Sequence, residues 1–561
     1  MTQAVHDLIE QHFDTAFAAP DGIAKLRELI LTLAMQGKLV EQDPNDPPAS
    51  ELLKEIEAEK QRLIAEKKIK KQMPLPPINP EDLPYQLPHG WEWVRLGTIG
   101  IINPRNDAKD SDLAGFVPMP MISEGYSYKH QFEQRPWREI KKGYTHFADG
   151  DVGMAKITPC FENAKSCIFS GLPNGIGAGT TELHIFRNSF NSVVPRFLLY
   201  YLKNPNYISK ASKKMTGSAG QKRVPTPYFT EQVIPLPPIP EQNRIVARID
   251  QLMMRCNELE KLRKDREEKR LQVHAAAIKQ LLDAPENTGW PFIQQQFGEL
   301  YTVKENVAEL RKAILQLAVM GRLVPQDPND PPASELLKEI EAEKQRLIAD
   351  KKIRNQKPLP PIKPEEIKHE LPSGWEWVRL GDIGNWKSGS TPSRSNPSYY
   401  GGGIPWVKSG EVKQGRIRET EETITQVALE KCSLGLNPVG SVLVAMYGAN
   451  IGEVGILEIE AATNQAVCAC QTYAHFDENY LLYLITSMKP YFLSQGAGAA
   501  QPNISREKII ATVFPLPPLP EQHRIVARID QLMELCNKLD KQIEAATNKQ
   551  EELLNAVMEQ V

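Results

Sequence analysis

Apolar residues recur at alternating steps of three and four along two long stretches of the chain. In the C-terminal stretch the pattern runs from Ile525 to Val557, with Gln550 as its one polar interruption. The central stretch begins the same way at Ile245, blurs through a basic segment and returns at Leu271. Heptad spacing is typical of a coiled-coil seam. Each stretch therefore predicts a helix of about 40 residues, roughly 60 Å long at 1.5 Å per residue.

The start of each predicted helix is marked by proline. Pro240 and Pro520 are each followed by Glu-Gln, which suits the first turn of a helix. The seam itself is predicted to be formed by Ile245, Ile249, Leu252, Leu259, Ile525, Ile529, Leu532, Leu539 and Ile543.

Two segments of the chain occur twice. Residues 42–65 recur letter for letter at 326–349, inside a longer repeated segment, A. A second segment, B, occurs at 235–259 and again at 515–539. Repeats define the architecture before any finer pattern does. The order is A–X–B–A–Y–B, where X and Y are similar in length but have largely diverged.

Segment A and the two inserts predict different structures. A predicts a short amphipathic helix closed by Gly37, and then a charged helix from an N-cap at Ser50 to about Lys71. A proline-rich linker follows. X and Y carry short β-rich runs and glycine turns, with one helix each, at 194–202 and 479–485. Both inserts therefore read as mixed α/β globules.

The first A has no B before it, and the last B has no A after it. Two equivalent halves thus require the N-terminal A to dock beside the C-terminal B. The predicted fold class is α+β, with two mixed α/β domains separated by two long antiparallel coiled-coil helices in a pseudo-two-fold circular arrangement. The predicted domains are a helical repeat with its linker at 1–90, a first globule at 91–240, a central helical region at 241–374, a second globule at 375–520 and a C-terminal helix at 521–561.

Composition excludes several classes of protein. The chain is 41% hydrophobic and 24% charged. No stretch reaches the roughly 18 apolar residues of a membrane helix, and the N-terminus lacks the basic-then-apolar pattern of a secretory signal. The 7 cysteines form neither a zinc ribbon nor a disulfide framework, which favours a cytoplasmic location. Phosphate-loop, zinc-protease and serine-hydrolase motifs are absent from the sequence, so we expect no catalytic residue and no metal site.

Local charge indicates a polyanionic partner for X. No acidic residue lies between Glu182 and Glu231, a stretch that holds eight lysines and arginines, Lys213 and Lys214 among them. A stretch of one sign costs self-repulsion, and contact with phosphates offsets it. A solvated basic face is the alternative interpretation. Y carries 11 basic and 13 acidic residues between 375 and 520, so its charge alone does not indicate DNA.

Two polar loops precede the B segments at matched positions, at 216–223 and 496–505. Small residues let the backbone approach a surface closely, and the polar residues beside them can pair with base edges and phosphates. A flexible surface loop is the alternative for each.

The repeated motifs resemble the DNA-specificity subunit of type I restriction–modification systems. The resemblance rests on GWEWVRLG at 90–97 and 374–381, and on LPPxPEQxRIVARIDQL at 236–252 and 516–532. It extends to motifs inside X and Y, such as KITPCFENAK at 156–165. The long N-terminal A is similar to the subgroup in which this segment precedes the first recognition domain.

The resemblance implies that X and Y are target recognition domains. Each would read one half of a split, asymmetric sequence in double-stranded DNA through the major groove. The helices would act as a spacer and bind two modification (methyltransferase) subunits, which two restriction (motor–nuclease) subunits join. This chain would bind no cofactor, because S-adenosylmethionine, ATP and Mg are expected on the partner subunits.

The residues of the two domains that we expect to contact DNA lie in polar loops. In X they are Lys156, Thr158, Thr180, Thr181, Lys213, Lys214, Gln221, Lys222 and Arg223. In Y they are Lys387, Ser390, Thr391, Lys408, Tyr447, Asn450, Gln465, Gln501, Asn503 and Ser505. Two other functions stay open at this point: an enzyme that modifies or cuts DNA itself, and a coiled-coil assembly protein whose globules bind other proteins.

Overall fold

The computed structural model describes residues 17–69, 71, 74–218, 220–283, 289–367, 369–473, 476–496 and 502–559. The chain divides into two compact units. Unit 1 consists of Met1–Arg266 and Ala546–Val561, and unit 2 is Glu267–Ala545. Unit 1 therefore holds the first A and X, and unit 2 holds the second A and Y.

Unit 1 opens with the two predicted helices of segment A, α1 (Gly22–Met35) and α2 (Ala49–Ala65). The second helix is shorter than the sequence predicts. It begins one residue before Ser50, whose side chain makes no cap, and it ends at Ala65 instead of Lys71. The chain leaves the helix at Lys67, whose φ of +56° breaks the helical path.

Domain X is built from short strands and helices. Its strands are β1 (Glu92–Arg95), β2 (Ile101–Ile102), β3 (Leu113–Val117), β4 (Glu133–Pro136), β5 (Thr145–Ala148), β6 (Val152–Ala155), β7 (Ser166–Ile168), β8 (Ile176–Gly179), β9 (Leu183–Arg187) and β10 (Val233–Leu236). Its helices are α3 (Leu96–Ile99), α4 (Trp137–Ile140), α5 (Pro195–Leu202), α6 (Pro205–Ser212) and α7 (Thr226–Glu231), and the long helix α8 (Ile239–Asp283) follows. Short 3-10 helices occur at Pro80–Asp82, Met119–Met121 and Pro173–Gly175.

The strands of X form two sheets and a ribbon. One sheet has the order β2-β9-β6-β7, and the other has the order β4-β3-β8-β5, in which β3 and β8 run parallel. The ribbon pairs β1 with β10, at the two ends of the domain, in antiparallel register. The entry and the exit of the chain are therefore held together by backbone hydrogen bonds.

Unit 2 repeats this plan in its own elements. After α8 come α9 (Gly289–Gln295), α10 (Phe297–Leu300), α11 (Lys304–Val319) and α12 (Ala333–Ala349), the last two being the second copies of the A helices. The strands of Y are β11 (Glu376–Arg379), β12 (Gly384–Ser388), β13 (Tyr400–Val407), β14 (Arg416–Ile417), β15 (Thr423–Ile424), β16 (Val442–Ala445), β17 (Val454–Leu457), β18 (Ala462–Thr463), β19 (Val467–Thr472) and β20 (Val513–Leu516). Its helices are α13 (Gln426–Lys431), α14 (Glu478–Gly496) and α15 (Arg506–Ala511), followed by the long α16 (Leu519–Glu559). Short 3-10 helices lie at Pro364–Glu366, Leu380–Asp382, Pro397–Tyr399, Val412–Gln414 and Gly448–Asn450.

The sheets of Y follow the order of those in X. The larger sheet has the order β12-β19-β16-β17-β14, the smaller has β15-β13-β18, and a ribbon pairs β11 with β20. Helix α14 is longer than the predicted 479–485, because it continues through Pro490 to Gly496. Proline removes one backbone hydrogen bond from a helix, and the burial of Phe492 beyond it offsets that loss.

The repeated sequence motifs fasten each domain to its helices. The indole Nε1 of Trp91 donates to Glu241 at 2.9 Å, and that of Trp375 donates to Glu521 at the same distance. The first helical residues of B thus meet the Trp of GWEWVRLG in both units. In each unit, this buried hydrogen bond joins the GWEWVRLG motif at the start of the recognition domain to the LPPxPEQ motif at its end.

The heptad spacing locates much of the buried face of the long helices. Ile245, Ile249, Ile525, Ile529 and Leu532 are buried, and each lies in the core of its own unit. Three further predicted seam positions are half-buried, namely Leu252, Leu539 and Ile543.

The seam prediction is wrong about the degree of burial at Leu259, which is 45% exposed. It is also displaced near the end of α8, where Leu271 is exposed and Ala277 and Leu281 are buried. The buried face follows the helices that pack on it inside each unit, which a strict heptad does not encode.

Inside unit 1, segment A packs on the end of the C-terminal helix. Leu29 and Leu33 of α1 form one cluster with Leu554 and Val557 of α16. This is the contact that equivalent halves require for the N-terminal A. The predicted α+β class is confirmed, with two mixed domains and two long helices.

Within the described ranges, no helix is both long and apolar enough to cross a membrane.

Candidate nucleic-acid interface

Three segments of X that are far apart in sequence meet at one end of strand β6. The backbone N–H of Lys156 donates to the carbonyl of Glu182 at 2.9 Å, and the N–H of Val224 donates to the carbonyl of Lys156 at 2.8 Å. The N–H of Thr158 donates to the carbonyl of Lys222 at 3.0 Å. The loop after β6, the turn before β9 and the loop before α7 are therefore tied by main-chain hydrogen bonds.

The same three ties occur in Y. The N–H of Met446 donates to the carbonyl of Ala466 at 2.8 Å, and the N–H of Ile504 donates to the carbonyl of Met446 at 2.9 Å. The N–H of Gly448 donates to the carbonyl of Pro502 at 2.9 Å. We call this arrangement the three-segment site, which comprises residues 156–158, 180–182 and 222–224 in X, and 446–448, 464–466 and 502–504 in Y.

These hydrogen bonds fix which residues correspond between the domains. Lys156 corresponds to Met446 and Glu182 to Ala466, and the register then pairs Lys222 with Pro502 and Arg223 with Asn503. The backbone is shared, whereas X has charged side chains where Y has neutral ones. Such an arrangement can present different donors and acceptors on one framework.

An ion pair dominates the three-segment site of X. Arg223 donates to Glu182 through Nε and Nη2, both at 2.9 Å. The hydrogen bonds from Arg223 lower the pKa of the Glu182 carboxyl, against the effect of burial, and Lys156 adds to the lowering. Lys222 is exposed beside this pair and has no ion-pair partner among the described residues. Arg223 is therefore already engaged, and Lys222 is the cation more available to a ligand.

A buried histidine supports the site from below. His184 is fully buried and stacks on Phe229 at 4.9 Å, and its Nε2–H donates to the carbonyl of Val224 at 2.8 Å. Its Nδ1 has no hydrogen-bond partner within the part of the chain described. Burial lowers the pKa of His184 to about 4, so the ring is neutral at physiological pH.

The remaining candidates of X divide between the site and its rim. Thr180 and Thr181 belong to the three-segment site, where the Thr180 hydroxyl accepts from the N–H of Glu182 at 3.2 Å. Gln221 is exposed just before Lys222, while Lys213 and Lys214 are exposed in the turn that follows α6. Thr158 is half-buried, and its hydroxyl accepts from the N–H of Lys222 at 3.2 Å.

Some cations of the acid-free stretch serve the fold instead. Arg187 pairs with the buried carboxylate of Asp151 at 2.7 Å. Lys203 is buried, and its Nζ donates to the carbonyls of Gly125 and Ala164 at 2.6 and 2.8 Å. The sequence count therefore overstates the charge that X presents to a ligand.

Five candidates of Y lie in or beside its three-segment site. Tyr447 is 43% exposed and forms a β-bridge with Asn503. Gln465 is exposed in the turn between β18 and β19, and Ser505 is exposed at the N-cap of α15, where its hydroxyl accepts from the N–H of Lys508. Asn450 ends the 3-10 turn that follows Tyr447. Gln501 lies outside the described residues.

The other candidates of Y lie on neighbouring elements. Lys387 is exposed on β12, and Ser390 follows it, with its N–H donating to the carbonyl of Thr463 at 3.0 Å. Thr391 is the exposed next residue. Lys408 instead donates to Glu421 at 2.7 Å and Glu422 at 3.1 Å, so its charge is neutralised inside the domain.

Sequence reasoning missed a basic wall beside the site of Y. A cleft of about 1040 Å³ is lined by Tyr447, Gln465, Lys387 and Ser505, and also by basic residues that were not predicted to take part. These are Lys351, Lys352 and Arg354, from the end of the second A, and Arg506. The sequence signal for this wall is the basic run KKIR at 351–354, directly after helix α12.

Comparisons with known proteins identify the family of the chain. The family described as type I restriction modification DNA specificity domain matches residues 88–268 and 372–548. The EcoAI specificity subunit of Escherichia coli is 42% identical over 560 residues, covering 96% of this chain and 93% of that protein. The EcoEI specificity subunit of Escherichia coli is 41% identical, with the same coverage of both chains.

A solved structure of the HsdS subunit from Thermoanaerobacter tengcongensis is also similar, with a TM-score of 0.47 and 20% identity over 85% of this chain and 98% of that chain. Among the described residues, no group of three or more His, Cys, Asp or Glu side chains could hold a metal ion. The resemblance noted in the sequence is confirmed by the family match and by the two relatives: the chain belongs to the specificity subunits of type I restriction–modification systems and carries two target recognition domains.

Proposed function

We propose that this chain reads a bipartite, asymmetric sequence in double-stranded DNA, one half with each three-segment site. The observation that carries the proposal is that three matched main-chain hydrogen bonds hold different side chains in X and in Y. Two half-sites of unrelated sequence need that combination, because the framework must stay constant while the donors and acceptors change. We also propose the five domains with the boundaries predicted from the sequence, at 1–90, 91–240, 241–374, 375–520 and 521–561.

The contact residues follow from exposure within each site. In X, Lys222, Gln221 and Thr181 are exposed and offer a phosphate contact and base-edge hydrogen bonds. Arg223 pairs with Glu182 in the same site, and a guanine edge can compete with that carboxylate for the guanidinium group of Arg223. In Y, Asn503 and Gln465 are exposed amides, the side chains suited to adenine edges.

The rest of the complex supplies the chemistry. We propose that segments A and B bind two modification subunits, and that two restriction subunits join them in the cytoplasm. Near-identity of the two A copies and the two B copies supports two copies of one partner. S-adenosylmethionine, ATP and Mg would be bound by those subunits, and adenine methylation would occur there.

Selection from a random duplex pool tests the proposal. The chain is purified in complex with its modification subunits and incubated with the pool at physiological salt. We expect enrichment of one motif with two short fixed halves and a spacer of constant length. Enrichment of a single continuous motif, or of none, would contradict it.

The lone chain provides a second control. Incubated with labelled S-adenosylmethionine and DNA, it should transfer no methyl group. Methyl transfer by the lone chain would contradict the proposal and show that the chain is itself a DNA methyltransferase.

A further inference from the structure

The most basic surface beside the three-segment site of Y is supplied by residues outside that domain. Lys351, Lys352 and Arg354 follow helix α12 of segment A, and all three are exposed. They line the 1040 Å³ cleft together with Lys387 and Arg506. Among the described residues of that lining, Glu507 is the one acidic side chain, so the described wall is strongly positive.

The end of helix α12 is capped by the main chain and not by these side chains. The backbone N–H of Lys351 donates to the carbonyl of Ile348 at 3.0 Å, and that of Lys352 donates to the carbonyl of Leu347 at 2.9 Å. The last carbonyls of α12 are thus satisfied by the main chain, as in many helix C-termini. Lys351 and Arg354 have no ion-pair partner within the described ranges, and Lys352 lies 3.5 Å from Asp350.

The cleft is continuous with the side chains that face the second half-site. Tyr447, Gln465 and Ser505 line it as well as belonging to, or adjoining, the three-segment site. A duplex whose base edges reach those residues must carry its sugar–phosphate backbone past the cleft walls. Clustered cations are favourable there, because each phosphate contact releases a condensed counterion.

We propose that the turn Lys351 to Arg354 binds DNA phosphates that flank the half-site read by Y. A segment of the repeat then contributes affinity without sequence information, while the recognition domain supplies the sequence information. The inference rests on the proposed function, since it needs a duplex seated on the three-segment site.

The test compares two variants of equal charge in the complex with modification subunits. Lys351→Gln with Arg354→Gln removes two cations from the cleft. Lys142→Gln with Lys413→Gln removes two exposed lysines, one in each recognition domain, that line neither the cleft nor a three-segment site and have no ion-pair partner within the described ranges. Binding to the selected bipartite duplex is measured over a range of salt concentrations.

We expect the slope of log K against log salt to become less negative by about 1.8 in the cleft variant, since each phosphate contact contributes about −0.9. Affinity should fall about tenfold to a hundredfold on every sequence, with the selected motif unchanged, and the control variant should keep the wild-type slope. If the wild-type complex binds a bipartite motif while the cleft variant keeps its slope, the inference alone is wrong. If the wild-type complex selects no bipartite motif, the proposed function fails first.

A structural role for the turn gives a different result. A cleft variant that is less stable to heat but retains the wild-type salt slope would overturn the inference. Loss of one base preference at an unchanged slope would overturn it equally, because it would make these residues base readers.

Discussion

Domains X and Y share one framework and differ in what that framework carries. In both, the loop after a central strand is tied to two other segments by the same three main-chain hydrogen bonds. Main-chain donors and acceptors are present at every residue except proline, whose N–H is missing, so the ties survive almost any change of side chain. The comparison shows how a recognition surface can diverge without loss of the fold.

The chemistry of the two sites differs in kind. X carries Lys156, Glu182, Lys222 and Arg223, whereas the corresponding residues of Y are Met446, Ala466, Pro502 and Asn503. Charged groups bring long-range attraction and salt dependence, while amides and aromatic rings act at contact distance. Beside the site of Y, the cations line the cleft instead, and segment A supplies Lys351, Lys352 and Arg354 in addition to the cations of Y itself.

Exchange of the site residues should have the largest effect on this comparison. Residues of Y are introduced into X. The reverse exchange would place the threonine that corresponds to Thr158 at Gly448, where a φ of +65° would strain it. Recognition of the first half-site should fall roughly a thousandfold, as each mismatched base pair costs about 1–3 kcal/mol. Pool selection measures it on a variant that combines Lys156→Met, Thr180→Asn, Thr181→Gln, Glu182→Ala, Lys222→Pro and Arg223→Asn.

The second half of the selected motif is the internal control for the graft. It should remain as in the wild type, because Y is untouched. A graft variant that still selects both original halves would show that the three-segment site does not carry the specificity of X.

Acid should lower the folding stability of X more than that of Y. The pKa of His184 is lowered by burial to about 4, so the unfolded chain takes up the proton first. Stability of X therefore decreases as pH falls from about 6.5 towards 4, by about 3 kcal/mol from this residue. Burial also lowers the pKa of His130 and His146 in X, which adds to the effect.

The position in Y that corresponds to His184 is Cys468, which cannot acquire a positive charge. Burial raises the pKa of its thiol to about 12, so it stays neutral across this range. Hydrogen exchange of β6 and β9, corrected for its intrinsic pH dependence, should accelerate in acid relative to β16 and β19. The variant His184→Cys should remove most of this difference in exchange rate between X and Y. If the difference stays the same, groups other than His184 cause it.

The repeats made much of the architecture predictable from the sequence. Identity at matched positions defined the A and B repeats, and Pro240 and Pro520 predicted the starts of α8 and α16, which lie one residue earlier, at Ile239 and Leu519. The ends were less predictable, since α14 continues through Pro490 for the sake of apolar burial at Phe492. Such burial depends on neighbours from distant parts of the chain, which a local pattern does not contain.

The polar site shows the same limit. The loop at 216–223 was predicted to contact a ligand, but its Arg223 pairs with Glu182, 41 residues away. Only the packing of β9 beside β6 brings these two together. The basic wall at Lys351 was missed for a similar reason, because a repeated charged helix end is indistinguishable from a solvated one until the fold places it beside Tyr447.

Removal of one cation should separate the two sites by their salt response. Lys222→Ala should weaken binding about tenfold and make the slope of log K against log salt less negative by about 0.9, as expected for the loss of one phosphate contact. Asn503→Ala in Y should weaken binding by a similar factor with an unchanged slope, and it should relax one base preference in the second half. Fluorescence anisotropy titrations at several salt concentrations measure both, and equal slope changes in the two variants would contradict the distinction.

The smallest effect concerns the carboxylate that holds Arg223. Glu182→Gln removes a negative charge from the site and leaves Arg223 more available to phosphates or to a guanine edge. Affinity for unrelated duplexes should rise severalfold. Discrimination in favour of the first half-site should decrease, because the orientation of Arg223 is no longer fixed. Glu133→Gln is the matched control, since Glu133 pairs with Arg135 at 2.6 Å on another sheet of the same domain. If the affinity of the control for unrelated duplexes rises by the same factor, the effect is due to net charge. Glu182 would then not contribute to the difference between X and Y.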